Sequence, residues 1–269
     1  VAPAMAAALL LAGCGSSVRE SGGQGLRVMS LDQCADQYVL AMGEGHDLAL
    51  SPRADDPDSW LRADAASHRV LRPTLESVVA YDPDVVVRHW GGDARLLARL
   101  QQQGVKVVTI AEASDFATVE QSILAVAQAL DRRAEGQALI RTMRTSLKEG
   151  APADSRRETA LYLTAGGFTS GPGTLIDASL RAAGLENATR SPGFAAVRVE
   201  RLAIDPPGRF VLGFYDQARA DRRGPGRHPL VKRLVEERPN VRLPAAMLTC
   251  PAWFMADAVP ELADLRRRR

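Results

Sequence analysis

The chain has 269 residues, a formal net charge of +2 and 25% charged residues, with both signs mixed along its length. That length accommodates one large or two medium domains, at about 100–200 residues each. The near-neutral balance excludes the clustered basic face of a nucleic-acid binder, and the one basic run, residues 266–269, reads as a solvated tail.

Residues 6–11 form an apolar stretch too short to span a bilayer, followed by Leu11-Ala12-Gly13-Cys14 and a polar tether to about residue 24. This resembles the lipobox of bacterial lipoproteins, in which the cysteine, here Cys14, becomes the acylated first residue. No Lys or Arg precedes the apolar run, which a start codon placed too far downstream would explain. The expectation is an exported domain, tethered to a membrane through lipid. In that oxidising compartment Cys34 and Cys250 remain as a pair, with two readings open: a disulfide or two separate thiols.

Residues 25–31 read as a first strand, after which Asp32 caps a helix through Tyr38, Leu40 and Met42. A second strand over 46–51 precedes an acidic, proline-containing loop, residues 53–60, that ends at Trp60. Residues 73–90 carry the densest signal in the chain. Thr74 or a neighbour caps a short helix with Glu76 in its first turn, and Asp82-Pro83 ends that helix because proline disfavours the helical conformation in the residue before it. Val85-Val86-Val87 then has the pattern of a strand covered on both faces. It ends at His89-Trp90-Gly91-Gly92, on the carboxyl edge where open α/β sheets bind ligands.

A helix over 94–103 and a strand over 106–110 continue the alternation that marks a parallel sheet. From 115 to 147 turn chemistry nearly disappears, and Val119, Ile123, Val126, Leu130, Leu139, Ile140, Met143 and Leu147 recur at helical spacing. The prediction is one long helix of roughly 45–50 Å, kinked near Gly136, that spaces two lobes. A strand over 159–163 opens the second half and runs into the glycine-rich loop 166–173, read as ligand-facing with Phe168 exposed in preference to phosphate-binding. Around Glu200 the earlier order returns: glutamate, helical turn, Asp205-Pro206, then an apolar strand over 209–214. Residues 248–254 read as a last strand end bearing Trp253 and Phe254, and a short helix starts at Pro260.

Together these residues resemble the periplasmic solute-binding proteins of ferric-siderophore and cobalamin ABC importers, over most of residues 27–255. The local likeness is to the cobalamin-binding member: Leu75-Glu76, Asp82-Pro83-Asp84, Trp90-Gly91-Gly92, Phe168-Thr169-Ser170-Gly171 and Glu186-Asn187 match its motifs, and Thr249, Trp253 and Phe254 approximate its terminal segment with one extra residue. The resemblance implies an α/β protein of two Rossmann-like lobes joined by one long rigid helix, the class III architecture. Its parts would be a signal and tether over 1–24, lobes over 25–114 and 151–269, and the interlobe helix over 115–150.

The resemblance also implies a monomer that binds cobalamin, or else a ferric siderophore or haem, between its lobes and delivers it to a permease and its ATPase. Trp90, Phe168 and Trp253, with Trp60 and Tyr215 as weaker candidates, would supply the apolar ligand surface, since a corrinoid or aromatic siderophore buries a broad face against rings. Glu76 and Glu200 would dock onto permease arginines; the alternative is an ordinary first-turn glutamate favoured by the helix dipole. Arg53, Arg88 and the cluster over 219–227 suit an anionic siderophore or plain solvated surface. His89 suits an iron or cobalt centre, or a satisfied imidazole. No resident cofactor or metal is expected, and nothing in the sequence matches a nucleophile elbow or a zinc set, which argues against the rival reading of an exported α/β enzyme. A second rival is a surface-tethered interaction protein with an empty cleft.

Overall fold

The computed structural model describes residues 25–154, 157–217 and 223–268; the lipobox with Cys14, and part of the 219–227 arginine cluster, lie outside them. The first half consists of β1 (Arg27–Ser30), α1 (Gln33–Met42), β2 (Asp47–Leu50), α2 (Arg62–Ala65), β3 (Arg69–Val70), α3 (Leu75–Tyr81), β4 (Val85–Arg88), α4 (Ala94–Gln102) and β5 (Lys106–Thr109). Next come α5 (Phe116–Ala129) and α6 (Arg133–Glu149). The second half holds β6 (Glu158–Thr164), β7 (Phe168–Ser170), α7 (Leu175–Ala182), β8 (Leu185–Asn187), β9 (Phe194–Ala196), α8 (Val199–Ile204), β10 (Arg209–Gly213), α9 (Pro229–Glu236), β11 (Asn240–Leu243), α10 (Ala245–Leu248) and α11 (Ala258–Arg267).

Polar caps start several helices, those at Asp32 and Thr74 where the sequence places them. Asp32 accepts from the backbone of Cys34 and Ala35, Thr74 from Ser77, and Thr174 from Asp177, each satisfying orphan N–H groups of a first turn. At the far end of α3, Asp82 sits at φ +50, a left-handed cap before Pro83. The strands are parallel within two sheets, ordered β3-β2-β1-β4-β5 and β11-β10-β6-β8. The central strands β4 and β10 are buried on both faces, as the Val85-Val86-Val87 run predicts, while the edge strands β3 and β5 are more exposed. On the outer faces Met29 and Val86 meet α3 and α4, while Phe210 and Leu212 meet α8 and α9.

The two halves repeat one another. Matching β1, β2, β4 and β5 to β6, β8, β10 and β11 reproduces strand order, direction and the intervening helices. The unit that recurs in the sequence, α3 with β4 and α8 with β10, occupies equivalent places. Both of these helices run from the carboxyl edge of their sheet to its amino edge. Leu71 N–H reaches Leu50 O before α3, and the Tyr81 hydroxyl reaches Asp47 O at its end. Glu76 and Glu200 therefore both stand in exposed first turns on the carboxyl-edge side.

The connection between halves differs from the expectation. Residues 115–150 form a hairpin of two helices, α5 and α6, turned at Leu130-Asp131-Arg132 with Asp131 at φ +54. Arg144 forms a two-point pair with Glu120, 2.6 and 2.7 Å long, across what a straight helix would spread over 24 residues. Gly136 permits the close crossing, because a Cβ there would stand 2.5 Å from the Ala127 methyl. α5 packs on α1 and β5, while α6 packs on the 3-10 turn Trp253–Asp257 and on α11. The hairpin thus joins a core that is already continuous: the inner faces of both sheets, from Val28 and Tyr38 to Val211 and Phe254, belong to one apolar cluster.

Inside that core lies the fully buried carboxylate of Asp36. Asp36 of α1 accepts from the Ser30 hydroxyl, from Ser51 N–H at 2.9 Å and from the Ser51 hydroxyl at 2.6 Å. Burial raises its carboxyl from the ordinary aspartate range to about 6, against the lowering effect of those bonds. A raised value means the folded chain keeps a proton that the unfolded chain has lost, so this group's contribution to stability falls as pH rises from about 4 to about 6. The difference in unfolding free energy between Asp36→Asn and the wild type is expected to shift in favour of Asn by about 1–3 kcal/mol across that window. Urea unfolding from pH 4 to 7 checks it; parallel curves for the two proteins would refute it.

Candidate functional site

The carboxyl edges of the two sheets face one another across a groove of about 450 Å³. Its first wall carries His89, Trp90 and Glu112, its second wall Thr174, Phe194 and Pro251, and the Cys34 and Cys250 pair lies on its surface between them. That pair is a disulfide, with Cα atoms 5.2 Å apart and 216 positions between them in sequence. Of the two readings left open by the sequence, the structure has the bridge, and it ties the halves together at the groove.

Asp32 organises the first wall. Its Oδ1 accepts the α1 N–H groups of Cys34 and Ala35, at 3.1 and 3.0 Å. Its Oδ2 accepts the N–H groups of His89, Trp90 and Gly91, at 2.7, 3.1 and 2.8 Å. One buried carboxylate so fixes both the helix start and the loop after β4. Gly91 is required there, because a side chain would collide with the Leu31 backbone. With its backbone held in this way, Trp90 leaves 57% of its surface exposed at the groove.

Of the five aromatics that the sequence suggested as ligand surface, Trp90 is among the groove's lining residues and the other four lie elsewhere. Trp253 is 6% exposed, with its ring edge-on to Tyr38 at 5.3 Å and to Phe254 at 5.2 Å. The residue belongs to a 3-10 turn, not a strand end, and its ring fills the seam between halves. Trp60 stacks on Phe254 at 4.9 Å in the same seam. Tyr215 lies outside the groove, its hydroxyl on Gly226 O and its ring under Arg227 and Arg242. Phe168 is exposed as expected, but the loop around it contains β7, paired antiparallel with β9. The register puts Phe168 and Phe194 on one face of that ribbon; Phe194 lines the groove, and Phe168 lies outside its lining.

Phe194, 71% exposed, is the residue that sequence reasoning passed over. Its signal was an aromatic directly after the turn residues Ser191-Pro192-Gly193. Trp90 and Phe194 now face the groove from opposite halves. Among the described residues that line it, none is Lys or Arg, and the charged group present is the Glu112 carboxylate. Arg53 instead pairs with Asp56, and Arg88 donates to Gly91 O. A larger hollow, about 680 Å³, lies away from the groove beside Glu200 and is walled by α8 and residues 223–230. Glu76 is fully exposed, and its carboxyl is held below the usual range by its own backbone N–H at the helix start, then by Thr74 and Arg95. No described helix is long and apolar enough to cross a membrane.

A family model described as periplasmic binding protein matches residues 46–207. A comparison with curated protein sequences found no match. Among solved structures, the periplasmic heme-binding protein BhuT in complex with two hemes is 23% identical, with a TM-score of 0.67 over 89% of this chain and 97% of that one. The periplasmic vitamin B12 binding protein BtuF of Vibrio cholerae is 19% identical, with a TM-score of 0.66 over 91% and 99%. A possible iron-binding periplasmic solute-binding protein from Staphylococcus epidermidis ATCC 12228 is 15% identical, with a TM-score of 0.69 over 91% and 100%. At these identities the likeness establishes the fold, and the similar scores favour none of the three cargoes.

Proposed function

The chain belongs to the periplasmic binding protein family, and from that premise we propose that it captures a corrinoid, cobalamin first, in the groove between its halves and hands it to an ABC importer. The observation that carries the choice of cargo is the groove's lining: two exposed rings, Trp90 and Phe194, with no lysine or arginine among the described lining residues. Rings bury the broad apolar face of a tetrapyrrole. An anionic cargo, such as haem with its carboxylates or many ferric siderophores, calls for cationic partners in the same place. The family's location is extracytoplasmic, and acylation at Cys14 would hold the domain at a membrane surface.

Isothermal titration against cyanocobalamin, haemin and a panel of ferric siderophores tests the reading. The corrinoid is expected to bind most tightly. Trp90→Ala should weaken that binding about tenfold or more, the usual cost of truncating an aromatic anchor. Tight binding of haemin or a siderophore with no corrinoid binding would transfer the cargo assignment to that ligand.

Delivery is assigned to Glu76 and Glu200. Equivalent helix starts in the two repeats, exposure on one side of the molecule, and the hollow beside Glu200 support paired docking onto cationic groups of a permease. Exposed carboxylates of this kind set orientation and encounter more than affinity.

A further inference from the structure

The helices that carry Glu76 and Glu200 share a six-residue pattern: Leu75-Glu76-Ser77-Val78-Val79-Ala80 in α3 and Val199-Glu200-Arg201-Leu202-Ala203-Ile204 in α8. The first and fourth residues turn inward. Leu75 and Val78 pack with Met29 and Val86, and Val199 and Leu202 pack with Phe210 and Leu212. The second residue is the exposed glutamate. The fifth and sixth are again apolar, yet all four of them are exposed, Val79 at 44% and Ile204 at 83%.

Residues three and four positions past an exposed glutamate share its outward face, and on a helix lying against a sheet that face is ordinarily polar. A single exposed aliphatic side chain is common on any protein surface. Here the departure recurs at the same places in both repeats, each time one turn beyond the carboxylate. None of the four residues lines the groove, so cargo does not account for them. In the second half the apolar face continues into the hollow beside Glu200, whose walls include Val199, Ala203, Pro225, Pro229 and Leu230.

Exposed carboxylates steer an encounter and add little to its affinity. What holds an interface together is apolar surface that loses its water, with polar contacts at the rim. We propose that Val79-Ala80 and Ala203-Ile204 are the holding half of the permease contact. Each pair seats against an apolar patch of the permease that lies beside the cationic group meeting Glu76 or Glu200. This rests on the docking reading above. Charge complementarity selects the occupant: like faces of two copies of this chain would set carboxylate against carboxylate, whereas a surface of cations flanked by apolar side chains satisfies both parts of the pattern. The glutamates then govern arrival, and the aliphatic pairs govern residence.

Binding kinetics of the wild type on permease and ATPase held in lipid nanodiscs, at low and high salt, separate the two parts. The variant Val79→Ser with Ile204→Ser is expected to dissociate about tenfold faster or more, with association and its salt dependence within about twofold of wild type. Glu76→Gln with Glu200→Gln should instead associate more slowly and lose the salt dependence. Val79→Thr with Ile204→Thr keeps the branched shape at both sites, guards against misfolding of the serine variant, and should fall between it and the wild type. Cargo binding by calorimetry should stay unchanged throughout, since these residues stand outside the groove. Wild-type dissociation in both aliphatic variants, with association slowed in the glutamine variant, overturns the inference and leaves the docking reading standing. Dimerisation of the wild type that the serine variant abolishes also overturns it, giving the faces to a second copy. If the wild type does not bind the nanodiscs, or the glutamine variant binds as wild type does, the docking reading falls and takes this one with it.

Discussion

Replacing Cys34 and Cys250 together with serine is expected to lower the unfolding free energy by about 2–5 kcal/mol, the upper end following from the length of chain the bridge closes. With 216 positions between the cysteines, the link restricts nearly the whole unfolded ensemble, and the entropic cost of an open chain grows with loop length. The continuous core across the seam moderates the effect in the native state, because Tyr38, Trp253 and Phe254 still hold the halves together. Guanidinium unfolding of the wild type with and without reductant, compared with the double variant, measures it. Coincident midpoints for all three would show that the bridge contributes nothing. Because both cysteines are among the groove's lining residues, corrinoid affinity should fall along with stability.

The second large effect concerns delivery. Charge reversal at both Glu76 and Glu200 is expected to abolish uptake in vesicles reconstituted with the permease and ATPase, since placing like charges opposite one another at an interface costs several kcal/mol. Binding in solution should change by less than about twofold, as neither residue lines the groove. Single reversals should give intermediate rates, each half supplying one contact. Normal uptake by the double variant would leave both glutamates as ordinary first-turn residues favoured by the helix dipole.

Local chemistry made much of this architecture readable from the chain. Asp32 and Thr74 announce helix starts because a side-chain oxygen there satisfies orphan N–H groups, and both caps are found where expected. The valine run of β4 announces burial on both sheet faces. The repeated Asp-Pro unit announces the duplication, since each copy ends a short helix ahead of a buried strand, although Asp82 takes the left-handed conformation and Asp205 does not. The α5–α6 hairpin stayed hidden for a physical reason. Val119, Ile123 and Val126 on one helix and Ile140 and Met143 on the other face the same core, so the period passes through a turn that uses neither glycine nor proline. Aromatics fared unevenly because ring chemistry alone does not distinguish a seam from a cleft. Trp90 is held outward by Asp32, a contact 58 positions distant in sequence, while Trp253 is turned inward by Tyr38. Neither partner is visible from the neighbourhood of the tryptophan itself.

The bridge beside the groove also bears on how a transporter distinguishes full from empty carriers. Jaws that swing shut on their load announce it by a change of outline. Here a covalent strap and shared apolar filling oppose such a swing, so on the docking proposed for Glu76 and Glu200 the two prongs would keep nearly one spacing in either condition. Vacant carriers would then occupy the same berth as laden ones, and the transporter would have to read the passenger directly.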